Sequence, residues 1–394
     1  KVTLLAVTLV SKEIRDWMDA HARGKDAERA EDAHRSHALI SALLNELLVN
    51  ASLSSVPLVL AAGCKLVGSF ATLVGGGRYG RPRFGAIGGA PGGNGGAEGD
   101  AGGGGEGAGM GGSGGAELLP RALSYLAAGL QQEESRDRAA MSVRTVAASC
   151  ERAIVANPAA LEALLQTLDV GTRAGADIEE RLTLVEASVR VLPAVDPAAG
   201  SAMLMGLLSP LMHVLAQGLQ STSPDETAIS EALQLLAQAV RFLDVRDVPP
   251  APPPVSPAGG SGSPRGPASP VAAGGAVETR SGQPPQISTE LVRALWPMLE
   301  AVPGRLGGSP EVVRQLFLLL GKMLTSLRMV LAQQVHIPTL LKMIMDCYDE
   351  RQYSCCLDIM TTAVEVYGSA DEAAEHFRSL LGRASARTFA TVQV

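Results

Sequence analysis

Leucine, valine, isoleucine and alanine recur along most of this chain three and four positions apart, with charged and small polar residues between them. That is the period of helices that bury one stripe and wet the other. It predicts helices over Val2 to Ala22, over a segment carrying Leu39, Ile40, Leu43, Leu44, Leu47 and Leu48 on one wide face, and from Pro57 to about Val74. Others follow at Leu118 to Gln131 and Ala139 to Ala156, and in runs opened by Pro158, Ile178, Pro197 and Asp225. The last set covers Thr289–Leu299, Pro310–Leu331, Pro338–Tyr348, Tyr353–Val366 and Asp371 to about Leu381. Arg23 to Ser36 reads as a charged, alanine-rich connector able to extend a helix. The two-residue alternation of half-buried strands is almost absent.

The helix starts carry a period of their own. Asn157-Pro158 and Asp196-Pro197 lie 39 positions apart, and each sets a capping side chain before a proline at the first helical position. Ser309-Pro310, with Glu311 in the first turn, repeats the device. With the Ile178 to Leu192 helix between the first two, the chain reads helix, turn, helix with a period of about 40 residues, as HEAT and armadillo arrays do. The expected fold is therefore all-α, an α-solenoid of roughly six HEAT-like helix pairs. Such an array offers a long surface to other macromolecules and seldom a catalytic pocket.

Two stretches break the pattern. Gly75 to Ala116 holds 22 of the 44 glycines, and Val248 to Pro285 is rich in Pro, Ser, Gly and Ala. Neither composition buries enough apolar surface to offset its ordering entropy, so both are expected to be disordered insertions. The organisation predicted is HEAT-like helices over 1–74, a Gly-rich insertion over 75–116, repeats over 117–247, a Pro/Ser/Gly-rich linker over 248–287, and repeats over 288–394. Both insertions fall between helices, where a longer loop costs little closure entropy. The first residue is Lys1 rather than Met, which reads as an internal piece of a longer protein or a misplaced start.

Aromatic residues are only 3% against 46% hydrophobic, so the core must be aliphatic, which suits close helix packing. A net charge of −7 argues against a dedicated nucleic-acid binder. Cys64, Cys150, Cys347, Cys355 and Cys356 form an odd set without a CxxC pair, as expected of a reducing compartment. The most apolar run, Val56 to Val74, contains Pro57, Lys65 and Gly68 and reads as a buried helix, so no membrane association is expected.

Candidate chemistry is sparse. His34 and His37 beside Glu31 and Asp32 have metal-compatible helical spacing, but no further ligand cluster stands near, and a polar connector accounts for them. Gly321-Lys322 lacks the rest of a phosphate-binding loop. Arg78 to Phe84 has the composition of an RNA-binding Arg-Gly element in one copy only, which a linker also explains. No GxSxG, no HExxH and no Cys–His pairing is present, and Cys355–Cys356 at the start of an apolar helix reads as packing. Trp296 before Pro297 suits either a partner anchor or the lid of a repeat's core. No cofactor, no metal and no enzymatic activity are expected.

Several segments, in order, resemble one family. They are Cys64-Lys65-Leu66-Val67-Gly68, Ser124 to Leu130, Arg144 to Ala156, Leu164 to Asp169, Trp296 to Leu299, Cys347 to Leu357 and Val364 to Gly368. Over about Ala61 to Val392 the chain is similar to the central and C-terminal repeats of the importin-β superfamily of nuclear transport receptors, in its transportin-SR and importin-thirteen branches. The resemblance implies a HEAT superhelix that carries protein cargo through nuclear pores, contacts FG nucleoporins and shuttles between nucleus and cytoplasm. It also implies release of cargo by the GTPase Ran in its GTP form, which the family binds mainly through repeats nearer its N terminus. A scaffold of the same fold, organising a multiprotein complex, is the alternative.

The resemblance also points to a cargo site. In transportin-SR an arginine-rich helix grips Arg-Ser-rich splicing factors. The corresponding helix here keeps only Arg314, Lys322 and Arg328, a thinner stripe than that cargo's grip requires. At 100° per residue these three fall within about 120° of one another, with Thr325 between them. Arg314, Lys322, Thr325 and Arg328 are the expected cargo-binding residues, with Val313, Leu316, Leu320, Met323, Leu324 and Leu327 packed inward. A solvated helix face is the competing reading of the stripe.

Overall fold

The computed structural model describes residues 7–8, 10–21, 27–50, 55–75, 114–243, 286–335, 337–368 and 371–392. Most of the two predicted insertions, and Arg78 to Phe84 with them, lie outside the described residues. The chain divides into two units, Lys1–Val195 and Asp196–Val394. Among the described residues both are built of helices without a strand.

The first unit holds α1 (Ser11–His21), α2 (Ala27–Val49), α3 (Pro57–Ser69), the single turn α4 (Ala71–Val74), α5 (Gly114–Leu130), α6 (Glu133–Val155), α7 (Pro158–Arg173) and α8 (Ile178–Val191). With the single turn α4 counted as the continuation of α3, alternate helices pack side by side: α2 with α5 and α5 with α7, while α3 and α4 lie on α6 and α6 on α8. Pair partners such as α5 and α6, or α7 and α8, close the second direction of packing. Every pair thus buries one face on its partner and another on the neighbouring pair, as HEAT-like repeats do.

The second unit continues the scheme. Its helices are α9 (Pro197–Gln220), α10 (Glu226–Phe242), α11 (Gln286–Leu306), α12 (Pro310–Ser326), α13 (Arg328–Gln334), α14 (Ile337–Arg351), α15 (Ser354–Tyr367) and α16 (Asp371–Val392). One layer runs α9, α11, α14, α16, and the other runs α10, α12, α15. Helix α9 is long and apolar enough to cross a membrane by length and composition alone. Its Leu204, Leu208, Leu211 and Leu215 are buried, however, and it packs on α10 and α11. The architecture in each unit is an α-solenoid segment of HEAT-like pairs.

The capping residues behave largely as their sequence implies. Asn157 Oδ1 accepts from the amides of Ala159 and Ala160 at 3.1 and 3.2 Å, and Asp196 accepts from Ala198 and Ala199. Asp177 and Glu180 close a reciprocal capping box at the start of α8. Ser309 differs: it occupies the cap position of α12, but its hydroxyl makes no capping bond there.

Other expectations are corrected at element ends. The predicted Pro57–Val74 helix breaks at Phe70 (φ −112°, ψ 32°), and the predicted Pro310–Leu331 helix breaks at Leu327 (φ −115°, ψ 29°). Cys150 within α6 carries the same distortion (φ −119°, ψ 17°). All three residues are buried. Elsewhere helices run longer than their patterns suggested. Helix α2 absorbs most of the Arg23–Ser36 connector, α5 starts at Gly114, and α6 starts at Glu133. Helix α11 runs through Pro297 and Pro303, and α16 continues past Leu381. The wide face predicted on α2 narrows to Ile40, Leu44 and Leu47, leaving Leu39 71% exposed.

Close approach of the helices rests on small residues. A Cβ added at Gly129 of α5 would lie 2.5 Å from Cys64 Sγ and 3.0 Å from Ala139 Cβ, so only glycine lets α3, α5 and α6 meet there. Polar ties supplement the packing. Arg136 donates to the carbonyls of Leu130 (3.1 Å), Gly175 (3.3 Å) and Ala174 (2.7 Å), satisfying helix ends of two successive pairs with one side chain. Buried Glu186 of α8 is held by Arg190 at 2.8 Å and by Arg144 of α6 at 3.8 Å.

Candidate functional site

Helices α12 and α15 are neighbours in one layer of the second unit, and an open groove of about 320 Å³ lies between them. From α12 come Arg314, Phe317, Leu318, Gly321, Lys322 and Thr325, with Gln315 beneath; from α15 come Cys355, Asp358, Ile359 and Thr362. The apolar spacing of α12 fixes which side chains face it. Val313, Leu316, Leu320, Met323, Leu324 and Leu327 are all buried, as their spacing implied, and Gln315, Phe317 and Leu319 are buried with them, which leaves Arg314, Leu318 and Thr325 exposed and Gly321 and Lys322 half-exposed.

Three of the four expected cargo residues line this groove and the fourth does not. Arg314, Lys322 and Thr325 stand along it, whereas Arg328 is not among its lining residues. The break at Leu327 is the cause: Arg328 opens α13, so it does not continue the stripe of α12.

The charges are not those of a simple basic stripe either. Arg314 is engaged by its own helix, donating from Nε to Glu311 Oε2 at 3.0 Å and from Nη2 to Oε1 at 2.7 Å. Those bonds from Arg314, then one from Gln315 at 2.9 Å, hold the Glu311 carboxyl below its ordinary value. Thr325 donates its hydroxyl back to the carbonyls of Gly321 and Lys322, leaving only its lone pairs for a ligand. Lys322 has no ion-pair partner among the described residues, and neither has Asp358 on the facing wall.

The groove therefore pairs one available cation with one available carboxylate over an apolar floor of Phe317 and Ile359. Leu318, 46% exposed, stands at its rim. Gly321 widens it, since a Cβ built there meets nothing within 4 Å. Such a surface suits an extended or helical protein segment carrying apolar and mixed-charge side chains. The α15 wall was not legible in the sequence, because apolar periodicity marks a buried face without naming its neighbour.

Among the described residues no group of three or more His, Cys, Asp or Glu side chains is arranged to hold a metal. Trp296 is half-buried on α11. Cys356 is buried at the start of α15, and Cys355 is half-buried in the wall of the groove.

No family model matches the chain, and none of the curated proteins does. Among solved structures, importin 13 in its cytosolic state is similar with a TM-score of 0.55 at 12% identity, over 98% of this chain and 44% of that one. The chain thus spans less than half the length of that protein. At this identity the likeness is one of fold, and the fold is that of an importin-like array of HEAT-type helix pairs.

Proposed function

We propose that the chain is part of a nuclear transport receptor of the importin-β superfamily, in its transportin-SR or importin-thirteen branch. The α12–α15 groove is one of its cargo contacts. The observation that carries this reading is the open, apolar-floored groove on a chain of importin-like fold, in which Lys322 and Asp358 have no ion-pair partner among the described residues. Its work is non-catalytic: it binds protein cargo, FG nucleoporins and Ran, and shuttles between nucleus and cytoplasm.

The mixed charge of the groove alters the expected cargo. With Arg314 engaged by Glu311, the strongly basic grip that phosphorylated Arg-Ser segments need is missing. A cargo segment with an apolar anchor flanked by one acidic and one basic side chain fits better. Its carboxylate would meet Lys322 and its cation Asp358.

Ran binding tests the assignment directly. The full-length protein containing this chain, titrated with Ran carrying a non-hydrolysable GTP analogue, is expected to bind it and to bind Ran-GDP far more weakly. Equal failure with both nucleotide forms would remove the receptor reading and leave the scaffold alternative.

A further inference from the structure

Two hydrogen bonds give the groove between α12 and α15 a direction. Tyr353, the residue before α15, donates to the carbonyl of Gly307 just ahead of α12. Tyr367, the last residue of α15, donates to the carbonyl of Arg328 just beyond α12. Start is thus tied to start and end to end, so the two helices run the same way and in register. Asp358 is the fifth residue of α15 and Lys322 the thirteenth of α12. A rise of eight residues sets them about 12 Å apart along the groove. The carboxylate lies toward the helix starts and the ammonium toward the helix ends.

Among the residues that line the groove, no other free charge cancels this polarity. Arg314, the fifth residue of α12, stands level with Asp358, but Glu311 compensates it through two bonds. Between the two charged levels lie Ile359, Phe317 and Gly321, an apolar floor and a gap where a Cβ would meet nothing.

An occupant that complements this groove is apolar in its middle, acidic at one end and basic at the other. An extended chain would turn its amides and carbonyls toward walls whose own backbone groups are spent inside α12 and α15. A helix satisfies its own backbone, and its positions i, i+3, i+4 and i+7 form one stripe spanning about 10.5 Å, close to the separation of the two charges. Helices are stabilised by an acid in their first turn and a base in their last. Such a helix sets its N terminus at Lys322 and its C terminus at Asp358, opposite in direction to both walls. Its positive N-terminal end then also lies beside the negative C-terminal ends of α12 and α15.

We propose that the groove receives an amphipathic helix of a partner protein, antiparallel to α12 and α15, with an acidic residue on Lys322 and a basic residue about seven positions later on Asp358. Aliphatic side chains between them rest on Phe317 and Ile359. The proposal rests on the reading of the groove as a cargo contact and adds the conformation, direction and charge order of what fills it.

Three fluorescent peptides of about four helical turns, on an alanine and glutamine background, test it when titrated into the full-length protein at low salt and followed by anisotropy. The first carries a glutamate, leucines three and four positions on, and a lysine seven positions on. The second exchanges the glutamate and the lysine, and the third is the first with a proline at its centre. The first should bind about tenfold more tightly than the second, and the third weakly, since proline breaks the helix. In the double variant Lys322→Glu, Asp358→Lys the preference between the first two should invert, which also shows that the variant is folded. Equal affinity for the first two, or an unchanged preference in the double variant, overturns the direction and charge order while leaving the groove a protein contact. Undiminished binding of the third means an extended occupant and overturns the helix. Binding of none removes the groove reading together with the proposal. Self-association of the parent that Gly321→Gln abolishes would assign the groove to a second copy of the chain and overturn the proposal as well.

Discussion

The phenol of Tyr367 at the end of α15 donates to the carbonyl of Arg328 at 2.7 Å, fastening one repeat to the break between α12 and α13. Tyr353 does likewise to Gly307 at 3.2 Å, and the hydroxyls of Tyr348 and Thr388 share a bond at 2.8 Å. These pairs are 39, 46 and 40 residues apart, the period of the repeat itself. Of five tyrosines in the chain, three therefore tie successive helix pairs together where aliphatic packing alone sets no register.

Tyr367→Phe removes the donor and keeps the ring. Loss of the bond to Arg328 should cost about 1 kcal/mol and lower the melting temperature by a few degrees. Tyr353→Phe acts on a separate bond, so the double variant should show close to the sum of the two shifts in thermal melts. An unchanged melt for Tyr367→Phe would mean that the bond does not hold the repeats.

Two helical glycines should respond in opposite directions. At Gly129 a methyl group meets Cys64 and Ala139, so Gly129→Ala should destabilise by about 1–3 kcal/mol through overpacking. At Gly321 a methyl group meets nothing, so Gly321→Ala should stabilise α12 by about 0.5–1 kcal/mol through helix propensity. Denaturant unfolding of the two variants beside the parent reads both signs.

The contrast also shows how far the sequence could be read. The capped starts at Asn157 and Asp196 were legible, since a short polar side chain before proline acts locally. The inward face of α12 was legible for the same reason, periodicity being a property of one helix. The breaks at Phe70, Cys150 and Leu327 were not: none is a glycine or proline, and all are buried where neighbouring helices impose their own geometry. Cys150 Sγ, for example, donates to the carbonyl of Ala71 at 2.9 Å, a partner 79 residues away. Arg328 was misplaced for this reason, and the walls from Asp358 and Cys355 were missed because they belong to another helix.

Alkaline pH should weaken the first unit. Burial raises Cys64 from 9.0 to about 12 and Cys150 to about 11, and lifts Tyr125 above its usual 10.0. Below pH 9 the thiols are protonated both folded and unfolded, so nothing is lost. Above it the unfolded chain releases protons that the folded chain keeps, and stability falls as pH rises toward the folded values. Each such thiol contributes a slope of about 1.4 kcal/mol per pH unit within that window. Cys64→Ala should therefore show a shallower fall in unfolding free energy between pH 9 and pH 11 than the parent. An equal slope would remove Cys64 from the explanation.

Nuclear entry in permeabilised cells tests the central claim most directly. The full-length protein containing this chain, fluorescently labelled, is added with Ran and an energy mix beside an inert protein of the same size. A transport receptor should accumulate at the nuclear rim and inside nuclei while the inert protein stays out. A cargo that it carries in should enter less with Lys322→Glu or Gly321→Gln, which reverse the free cation and fill the groove. Exclusion of the labelled protein from rim and nucleus, to the same degree as the inert control, would contradict the account.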